Sequence, residues 1–189
     1  CDGGYTEEGY YCSDLEVLRD FISINPGSIH IGMDADNNNI ISVLEYGNTQ
    51  YWDLEYTGRL LSLDLAYHEN DVKPTFCNFR LDSLPDNIGS LDSLGTLILK
   101  NNEITTLPES IGDLGILEKL LLESNRLTTF PESIGNLKNL EFLYAHHNQI
   151  IFLPSKFFEM TNLQVLWLHF NNLSFLPDNL GDMKNLETL

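Results

Sequence analysis

Basic residues are scarce in this chain, and their scarcity limits the kinds of partner that it can bind. The 189 residues include only 10 Lys and Arg against 28 Asp and Glu, which gives a formal net charge of −18. A chain of this charge repels phosphate backbones and anionic lipid headgroups. We therefore expect no binding to nucleic acid or to an anionic membrane surface, and we favour cations and basic surfaces as partners.

Long apolar runs and catalytic motifs are also lacking. No stretch approaches the roughly 20 apolar residues that a membrane-spanning helix needs, so we predict no membrane insertion. The sequence contains no glycine-rich phosphate loop, no HExxH metal motif and no recognisable pairing of a nucleophile with a base. No signal peptide precedes Cys1, so we expect that the chain begins after processing. These absences predict a binding protein and not an enzyme.

Cysteine is rare, with three residues in all. Cys1 and Cys12 bracket a small polar loop that has no apolar core of its own, and a covalent closure stabilises such a loop most. We predict a disulfide between them. The alternatives are that Cys1 is the lipid-modified first residue of a mature bacterial lipoprotein, or that the cysteines are free. Cys77, beside Phe76 and Phe79, is predicted to be a buried apolar residue.

The sequence does contain a repeat of 23 residues, which follows the pattern LxxLxLxxNxLxxLPxxIGxL. A fixed period of this length is the signature of stacked structural units, each of which buries its apolar side chains against its neighbours. The clearest markers are asparagines and prolines that recur in phase, at Asn102, Asn125, Asn148 and Asn171, and at Pro85, Pro108, Pro131, Pro154 and Pro177.

Each part of the repeat has a physical role. Leu97 and Leu99 alternate with other side chains, so they point to one side of a short strand, towards the core. The asparagine that follows can bond backbone groups of its own and the neighbouring turn, through its carbonyl and its amide. The proline fixes φ and lacks a donor where no sheet partner exists, so it begins the convex side. The in-phase glycines are assigned to turns, at Gly89, Gly112, Gly135 and Gly181.

These motifs resemble the leucine-rich repeats of the 23-residue LPxxIGxL kind, which occur in bacterial surface proteins and in intracellular Ras-group scaffolds. The resemblance covers residues 81–189. It implies an α/β solenoid, a horseshoe with a parallel sheet on its concave face and short helical or irregular segments outside.

The repeats are predicted to occupy residues 59–189. In the first one, Leu60, Leu63 and Leu65 match the strand leucines but arrive 11 residues early, which predicts an insertion near residues 66–78. The last repeat is incomplete, since Leu186 and Leu189 are its first two apolar positions. We expect the native chain to continue, because a bare apolar edge invites association.

Residues 1–58 are predicted to form an N-terminal cap region. Residues 14–24 carry apolar side chains at helical spacing, with Ser13 as N-cap and Glu16 completing a capping box. We expect this helix to cover the exposed edge of the first strand. Tyr51, Trp52 and Tyr56 are predicted to lie between the cap and the repeats. N-terminal caps of secreted leucine-rich repeat proteins show a similar order of segments.

Residues 34–45 resemble the twelve-residue calcium loop of EF-hand and dockerin-type sites. Such a loop surrounds the cation with alternate oxygen-bearing side chains, one backbone carbonyl and a closing carboxylate. Asn39 replaces the usual glycine, although asparagine tolerates the left-handed conformation better than most residues. The resemblance implies a structural calcium site, and a polar surface turn is the alternative. The ligands would be Asp34, Asp36, Asn38, the carbonyl of Ile40, Ser42 and Glu45.

The resemblance also implies a concave binding face, on which outward strand positions of successive repeats form columns. Polar residues dominate the early repeats and aromatic residues the later ones. A contiguous aromatic patch on a solvent-facing sheet is typical of a partner site, although cross-strand stacking that stabilises the sheet is an alternative. The predicted binding residues are Leu121, Phe142, Tyr144, His146, Val165, Trp167, His169 and Phe170.

The histidines of this face also raise the hypothesis of a zinc site. His146, His147 and His169 lie in adjoining columns, with Glu123 as the nearest carboxylate. This set does not complete a good tetrahedral site, so we favour surface histidines over metal ligands.

We therefore predict a secreted or cell-surface binding protein whose partner is another protein. The first alternative is an intracellular leucine-rich repeat scaffold, with reduced cysteines and no calcium requirement. The second is a carbohydrate-binding or adhesion module, in which Trp167 and Tyr144 stack on sugar rings.

Overall fold

The computed structural model describes residues 16, 17, 19, 20, 24, 50–53, 59–65, 80–176 and 178–189. Within these residues, six strands form one sheet in chain order. They are β1 Gln50–Asp53, β2 Arg59–Asp64, β3 Thr96–Ile98, β4 Lys119–Leu121, β5 Phe142–Tyr144 and β6 Val165–Trp167. β1 is antiparallel to β2, and β2 to β6 run parallel.

The register of the parallel strands repeats the period of the sequence. Leu97 pairs with Leu120, and Leu120 with Leu143, so β3, β4 and β5 are each displaced by one repeat of 23 residues. Between β2 and β3 the step is longer, because Leu63 pairs with Leu97, 34 residues later. The 11 additional residues agree with the predicted insertion near residues 66–78, which itself lies outside the described residues.

One continuous core lies between the sheet and the convex side. Leu97 and Leu99 are fully buried, whereas Thr96 and Ile98, on the opposite face of β3, are only partly buried. The same alternation appears at Leu120 and Leu143 in the next repeats. The predicted inward leucines are therefore confirmed, and each repeat depends on its neighbours for burial.

The in-phase asparagines form a hydrogen-bond ladder inside this core. Asn125 accepts the N–H of Ile104 at 3.0 Å and donates to the carbonyls of Leu99 at 2.9 Å and Leu122 at 3.0 Å. Asn102, Asn148 and Asn171 make the equivalent bonds in their own repeats. The predicted role of these residues is confirmed: each satisfies backbone groups of two successive repeats.

On the convex side, an extended proline leads into a short 3-10 helix in three successive repeats. Pro108, Pro131 and Pro154 have φ values of −69°, −67° and −65°, close to the value that the proline ring imposes. The 3-10 helices are η1 Ile88–Ser90, η2 Glu109–Asp113, η3 Glu132–Asn136, η4 Ser155–Glu159 and η5 Asp178–Asp182.

The in-phase glycines lie inside these 3-10 helices, so their assignment to turns was wrong. A Cβ atom on Gly135 would overlap the carbonyl oxygen of Lys156 in the next repeat. The same overlap would occur between Gly89 and Ser110, and between Gly112 and Ser133. Glycine is required here because the convex backbones of adjacent repeats approach closely.

A second set of inter-repeat hydrogen bonds, which the sequence analysis did not anticipate, holds the convex side. The amides of Asn139, Asn162 and Asn185 donate to backbone carbonyls of the preceding repeat at 2.7 to 2.8 Å. The carboxylate of Glu132 accepts the backbone N–H groups of Lys156 and Ser155. The bond from the Lys156 N–H, above all, holds the pKa of Glu132 below its usual value.

The free edge of the first repeat is covered in a different way from the one predicted. β1 pairs along β2, with Gln50 opposite Leu63 and Asp53 opposite Arg59, so a strand and not a helix occupies this edge. The described helical residues of the segment 14–24 lie elsewhere: Val17 is buried in the core, and Asp20 accepts a bond from Asn87, next to η1. The aromatic sequence around Trp52 hid this strand, because it has no clear period-two alternation.

Several predicted features lie outside the described residues. They include Ser13 as N-cap, the place of Tyr56 and the burial of Cys77. They also include the Cys1–Cys12 disulfide and the calcium ligands Asp34, Asp36, Asn38, Ile40, Ser42 and Glu45. The division into a cap region, 1–58, and repeats, 59–189, stays a prediction. In the part of the chain that the structure describes, no helix has the length and apolar character needed to cross a membrane.

Candidate functional site

The outward strand positions form the columns that the sequence predicts. Ile98, Leu121, Tyr144 and Trp167 are successive partners across β3 to β6. Thr96, Lys119, Phe142 and Val165 form the column beside them. Because the strands are parallel and in register, chemically similar residues of successive repeats become lateral neighbours about 4.8 Å apart.

The chain leaves each of the strands β3 to β6 through a residue in the left-handed conformation. Asn101, Ser124, His147 and Phe170 have φ values between 54° and 60°. The N–H groups of the first three donate to carbonyls of the following repeat at 2.9 to 3.1 Å. This conformation is common for asparagine but strained for a bulky residue, so the backbone geometry, and not local preference, places the ring of Phe170. Of the four residues, only Asn101 is of a type that indicates a positive φ from the sequence.

The last two strands present an aromatic plate, which we define as Tyr144, His146, His147, Trp167, His169 and Phe170. Its members pair across β5 and β6. The ring centroids are 4.6 Å apart for Tyr144 and Trp167, 4.6 Å for His146 and His169, and 4.3 Å for His147 and Phe170. The two pairs that contain histidine are stacked within 16° of parallel. The aromatic plate is therefore an ordered surface, because its rings contact one another in pairs across the two strands.

The remaining predicted binding residues border this plate. Leu121, Phe142 and Val165 are partly buried, whereas Trp167 is 38% and Phe170 69% exposed. The Lys119 ammonium lies 5.4 Å from the centroid of the Phe142 ring, within the range of a cation–π contact. The structure thus brings all eight predicted residues to one face, and their role in binding stays a prediction.

His146 lies at the centre of the plate. Burial lowers the pKa of His146, and the neighbouring His169 and His147 lower it further, because all three effects disfavour a positive charge. Its Nδ1 atom is buried and has no hydrogen-bond partner among the described residues. The same is true of Oε2 of Glu123, in the preceding repeat.

The histidines do not form a metal centre in the described residues, where no three His, Cys, Asp or Glu side chains converge as ligands. His146 and His169 are stacked face to face. Imidazole nitrogens bind metals in the plane of the ring, so two stacked rings do not direct their lone pairs at a common point.

A second exposed apolar surface was missed by the sequence analysis. On the loop after the asparagine, Ile151 is 49% and Phe152 48% exposed, and one repeat later Phe175 is 65% exposed. The corresponding positions of the preceding repeat are Thr128 and Thr129. The in-phase replacement of threonine by large apolar residues was the signal that could have revealed it.

The parallel sheet, the asparagine ladder and the convex 3-10 helices together define a leucine-rich repeat solenoid. The sequence agrees: residues 92–150 and residues 162–183 match family models described as leucine-rich repeats. No curated protein sequence gives a significant match.

Solved structures place the chain in the same fold. A leucine-rich repeat protein of Leptospira interrogans is 32% identical over 58% of this chain, with a TM-score of 0.56, but the match covers only 28% of that protein. The plant peptide hormone receptor RGFR1, solved in complex with RGF2, is 30% identical over 56% of this chain and 18% of its own, with a TM-score of 0.53. The ectodomain of the receptor kinase SOBIR1 from Arabidopsis thaliana is 19% identical over 95% of this chain and 91% of its own, with a TM-score of 0.66.

Proposed function

We propose that this protein binds a protein partner, through an extended segment of that partner, on the aromatic plate of its concave face. The observation that carries the proposal is the plate itself: six rings in three lateral pairs, two of them stacked, with the apolar rings of Trp167 and Phe170 exposed. Ordered aromatic side chains with exposed apolar area are typical anchors of protein interfaces. The RGFR1 complex offers a parallel, since that receptor has leucine-rich repeat similarity to this chain and binds a peptide hormone.

The ring geometry favours a polypeptide over a sugar. A sugar ring stacks on an open aromatic face, but His146 and His169 each cover one face of the other. Stacking leaves less open ring face for a sugar, whereas side chains of a peptide can pack against the edges of paired rings. The carbohydrate-binding alternative is therefore the second candidate, and its support is Trp167, the more exposed member of its pair.

Peptide selection tests the proposal without a known partner. Linear peptides selected from a random display library on the wild-type protein should lose about 30-fold or more in affinity with Trp167→Ala, since loss of a central aromatic anchor costs about 2 kcal/mol or more. Phe152→Ala is the control, because it removes an aromatic ring of 48% exposure from outside the concave face. Calorimetry measures the affinity of the selected peptides for the wild type and for each variant.

Two outcomes would contradict the proposal. One is a set of selected peptides whose affinity falls with Phe152→Ala and not with Trp167→Ala. The other is a glycan that binds on an array and is lost with Trp167→Ala, when no peptide is recovered. The second outcome would show that the aromatic plate binds carbohydrate.

We further propose that the protein acts outside the cell or at its surface, that residues 34–45 hold a calcium ion and that Cys1 and Cys12 form a disulfide. The supports are the ligand spacing of the loop and the fold shared with a receptor ectodomain. A single loop with this ligand set is expected to bind calcium with a dissociation constant of about 10⁻⁴ to 10⁻³ M, as in extracellular modules. We also propose that the protein is a binding scaffold and not an enzyme.

Calcium removal tests this second proposal. At calcium concentrations ten- to a hundredfold above the dissociation constant, the metal should stabilise the protein by about 1.4 to 2.7 kcal/mol and raise the melting temperature. The double variant Asp34→Ala/Glu45→Ala should abolish both the heat of binding and the shift, whereas Asp86→Ala, at an exposed position in the repeats, should keep them. An unchanged melting temperature at these calcium concentrations would reduce the loop to a surface turn and favour the intracellular scaffold.

A further inference from the structure

Two unsatisfied polar atoms belong to residues at equivalent positions of adjacent repeats, in the column that runs through the aromatic plate. Nδ1 of His146 and Oε2 of Glu123 are both buried without a hydrogen-bond partner among the described residues. The two residues follow β5 and β4 at equivalent positions, and the paired strands make them lateral neighbours about 4.8 Å apart. Buried polar atoms normally make hydrogen bonds. A single hydrogen bond between these two residues would give both atoms a partner.

One hydrogen bond can join the two atoms when Nδ1 carries a hydrogen, as it always does in the protonated imidazole. The neutral imidazole of His146 carries one N–H, and the carboxylate of Glu123 is an acceptor only. No ion pair or hydrogen bond joins the two in the structure, where His146 instead stacks on His169 with 4.6 Å between the ring centroids. Protonation would give Nδ1 a hydrogen to donate, and Glu123 is the carboxylate in the neighbouring position of the column.

The groups around His146 determine how it responds to acid. On the β4 side it faces Glu123, and Lys100 lies one repeat further along the same column. Its own repeat contributes His147 and Tyr144, and the β6 side contributes His169 and the uncharged Trp167. Of these groups, His169 and His147 disfavour a positive charge on His146, and Glu123 is the carboxylate in the adjoining position of the column.

We propose that His146 is a proton-operated switch of the concave face: when it binds a proton, it leaves its stack on His169 and donates Nδ1–H to Oε2 of Glu123. The proposal rests on the proposed function, because it regulates the same surface. His146 also contacts the edge of Trp167, with 5.5 Å between centroids, so its departure removes a neighbour from the main aromatic anchor. A partner bound at neutral pH is therefore released in mild acid.

The depressed pKa of His146 supports the switch. Since burial and the two neighbouring histidines disfavour its charged form, His146 remains neutral and stacked at neutral pH. The proton enters only when the solution is acidic enough to overcome these effects, so the stacked state is the resting state of the face.

The switch is tested by nuclear magnetic resonance on the full chain with labelled histidine rings. The His146 signals, identified by their loss in His146→Gln, should titrate together with a change in the ring signals of Trp167 and His169. Glu123→Gln removes the charged acceptor, so the midpoint of His146 should move to lower pH. Glu118→Gln is the matched control: it makes the same change in the same repeat, at an exposed position outside this column, and should leave the midpoint in place.

Two results would overturn the proposal: a His146 midpoint that is the same in wild type and Glu123→Gln, or a His146 titration that leaves Trp167 and His169 unchanged. If Glu123→Gln does not fold, Glu123→Asp serves in its place, because the shorter side chain draws the carboxylate back towards its own strand and should also lower the midpoint. None of these measurements requires a partner, so failure of the switch is distinguishable from failure of the proposed function.

A binding measurement then connects the switch to release. The probe is a peptide selected on the wild-type protein at pH 7.5. Its affinity should fall by about tenfold or more at pH 5.0, since one coupled proton can change affinity by up to tenfold per pH unit. The loss should be smaller in His146→Phe, which keeps an aromatic ring but cannot titrate. An equal loss in both proteins would contradict release through His146.

Discussion

Asn125→Ala is expected to lower the free energy of unfolding by about 2 to 4 kcal/mol, because one buried N–H loses its partner and two buried carbonyls each lose one of their two donors. The N–H is that of Ile104, and the carbonyls are those of Leu99 and Leu122. The carbonyls keep the amides of Asn102 and Asn148, whereas the N–H of Ile104 is left unsatisfied. The side chain is 7% exposed, which leaves little access for water.

The matched control for this substitution is Asn139→Ala. Asn139 makes one exposed hydrogen bond, to the carbonyl of Gly115, and its loss should cost no more than about 1 kcal/mol. Urea denaturation of the two variants measures the difference. A similar loss of stability in both would contradict the contribution of the buried ladder to the fold.

Gly135→Ala is expected to lower the free energy of unfolding by about 3 kcal/mol, at the upper end of overpacking effects. The new Cβ would overlap the carbonyl oxygen of Lys156 and lie 2.8 Å from its carbonyl carbon. Both are backbone atoms, so no rotamer change relieves the overlap, and η3 and η4 must separate. Their separation also breaks the bonds from Ser155 and Lys156 to Glu132.

Gly181→Ala provides the control for this position. It is the same substitution at an in-phase glycine, but no heavy atom lies within 4 Å of the added Cβ. Thermal or urea unfolding should therefore show little change for Gly181→Ala. Equal stability of the two variants would refute the close approach of adjacent repeats on the convex side.

One departure from the pattern supports the same steric argument. The position of Gly135 is occupied one repeat later by Phe158, which is 6% exposed. η4 and η5 contact each other less extensively than η3 and η4 do. A large side chain in place of glycine requires more space between repeats, so the sequence varies the spacing along the solenoid.

The fold was predictable because the repeat couples sequence to register. Once Leu97, Leu120 and Leu143 are assigned to equivalent positions, parallel stacking leaves one pairing that keeps all of them inside. The asparagine ladder follows for the same reason, since a buried amide at each step needs partners that only the adjacent repeat supplies. Periodicity thus encodes contacts between residues that are distant in the chain.

Features that depend on distances between backbones were not predictable in the same way. The period marks Gly112 and Gly135 as equivalent, but it does not distinguish a turn from a close approach of two chains. The antiparallel strand β1 belongs to no repeat, so its pairing had no periodic signal. In the same way, the sequence identified the residues of the aromatic plate, but the stacking of their rings depends on side-chain rotamers.

The left-handed residues show how tertiary structure overrides local preference. Asparagine at position 101 adopts a positive φ readily, whereas phenylalanine at position 170 does not. Both occupy the same place in the repeat, where the chain must turn after the strand. The repeat imposes the conformation, and the strained position is the one that presents the most exposed ring of the concave face.

The central claim, that a partner binds on the aromatic plate, is tested most directly by the fluorescence of Trp167. Trp52→Phe removes the other tryptophan, so the emission then reports the plate alone. Because Trp167 is 38% exposed, binding of a selected peptide at neutral pH should exclude water from its ring and shift its emission to shorter wavelengths, with the same midpoint as the calorimetric titration. A peptide that saturates the protein without changing this emission would place the binding site elsewhere.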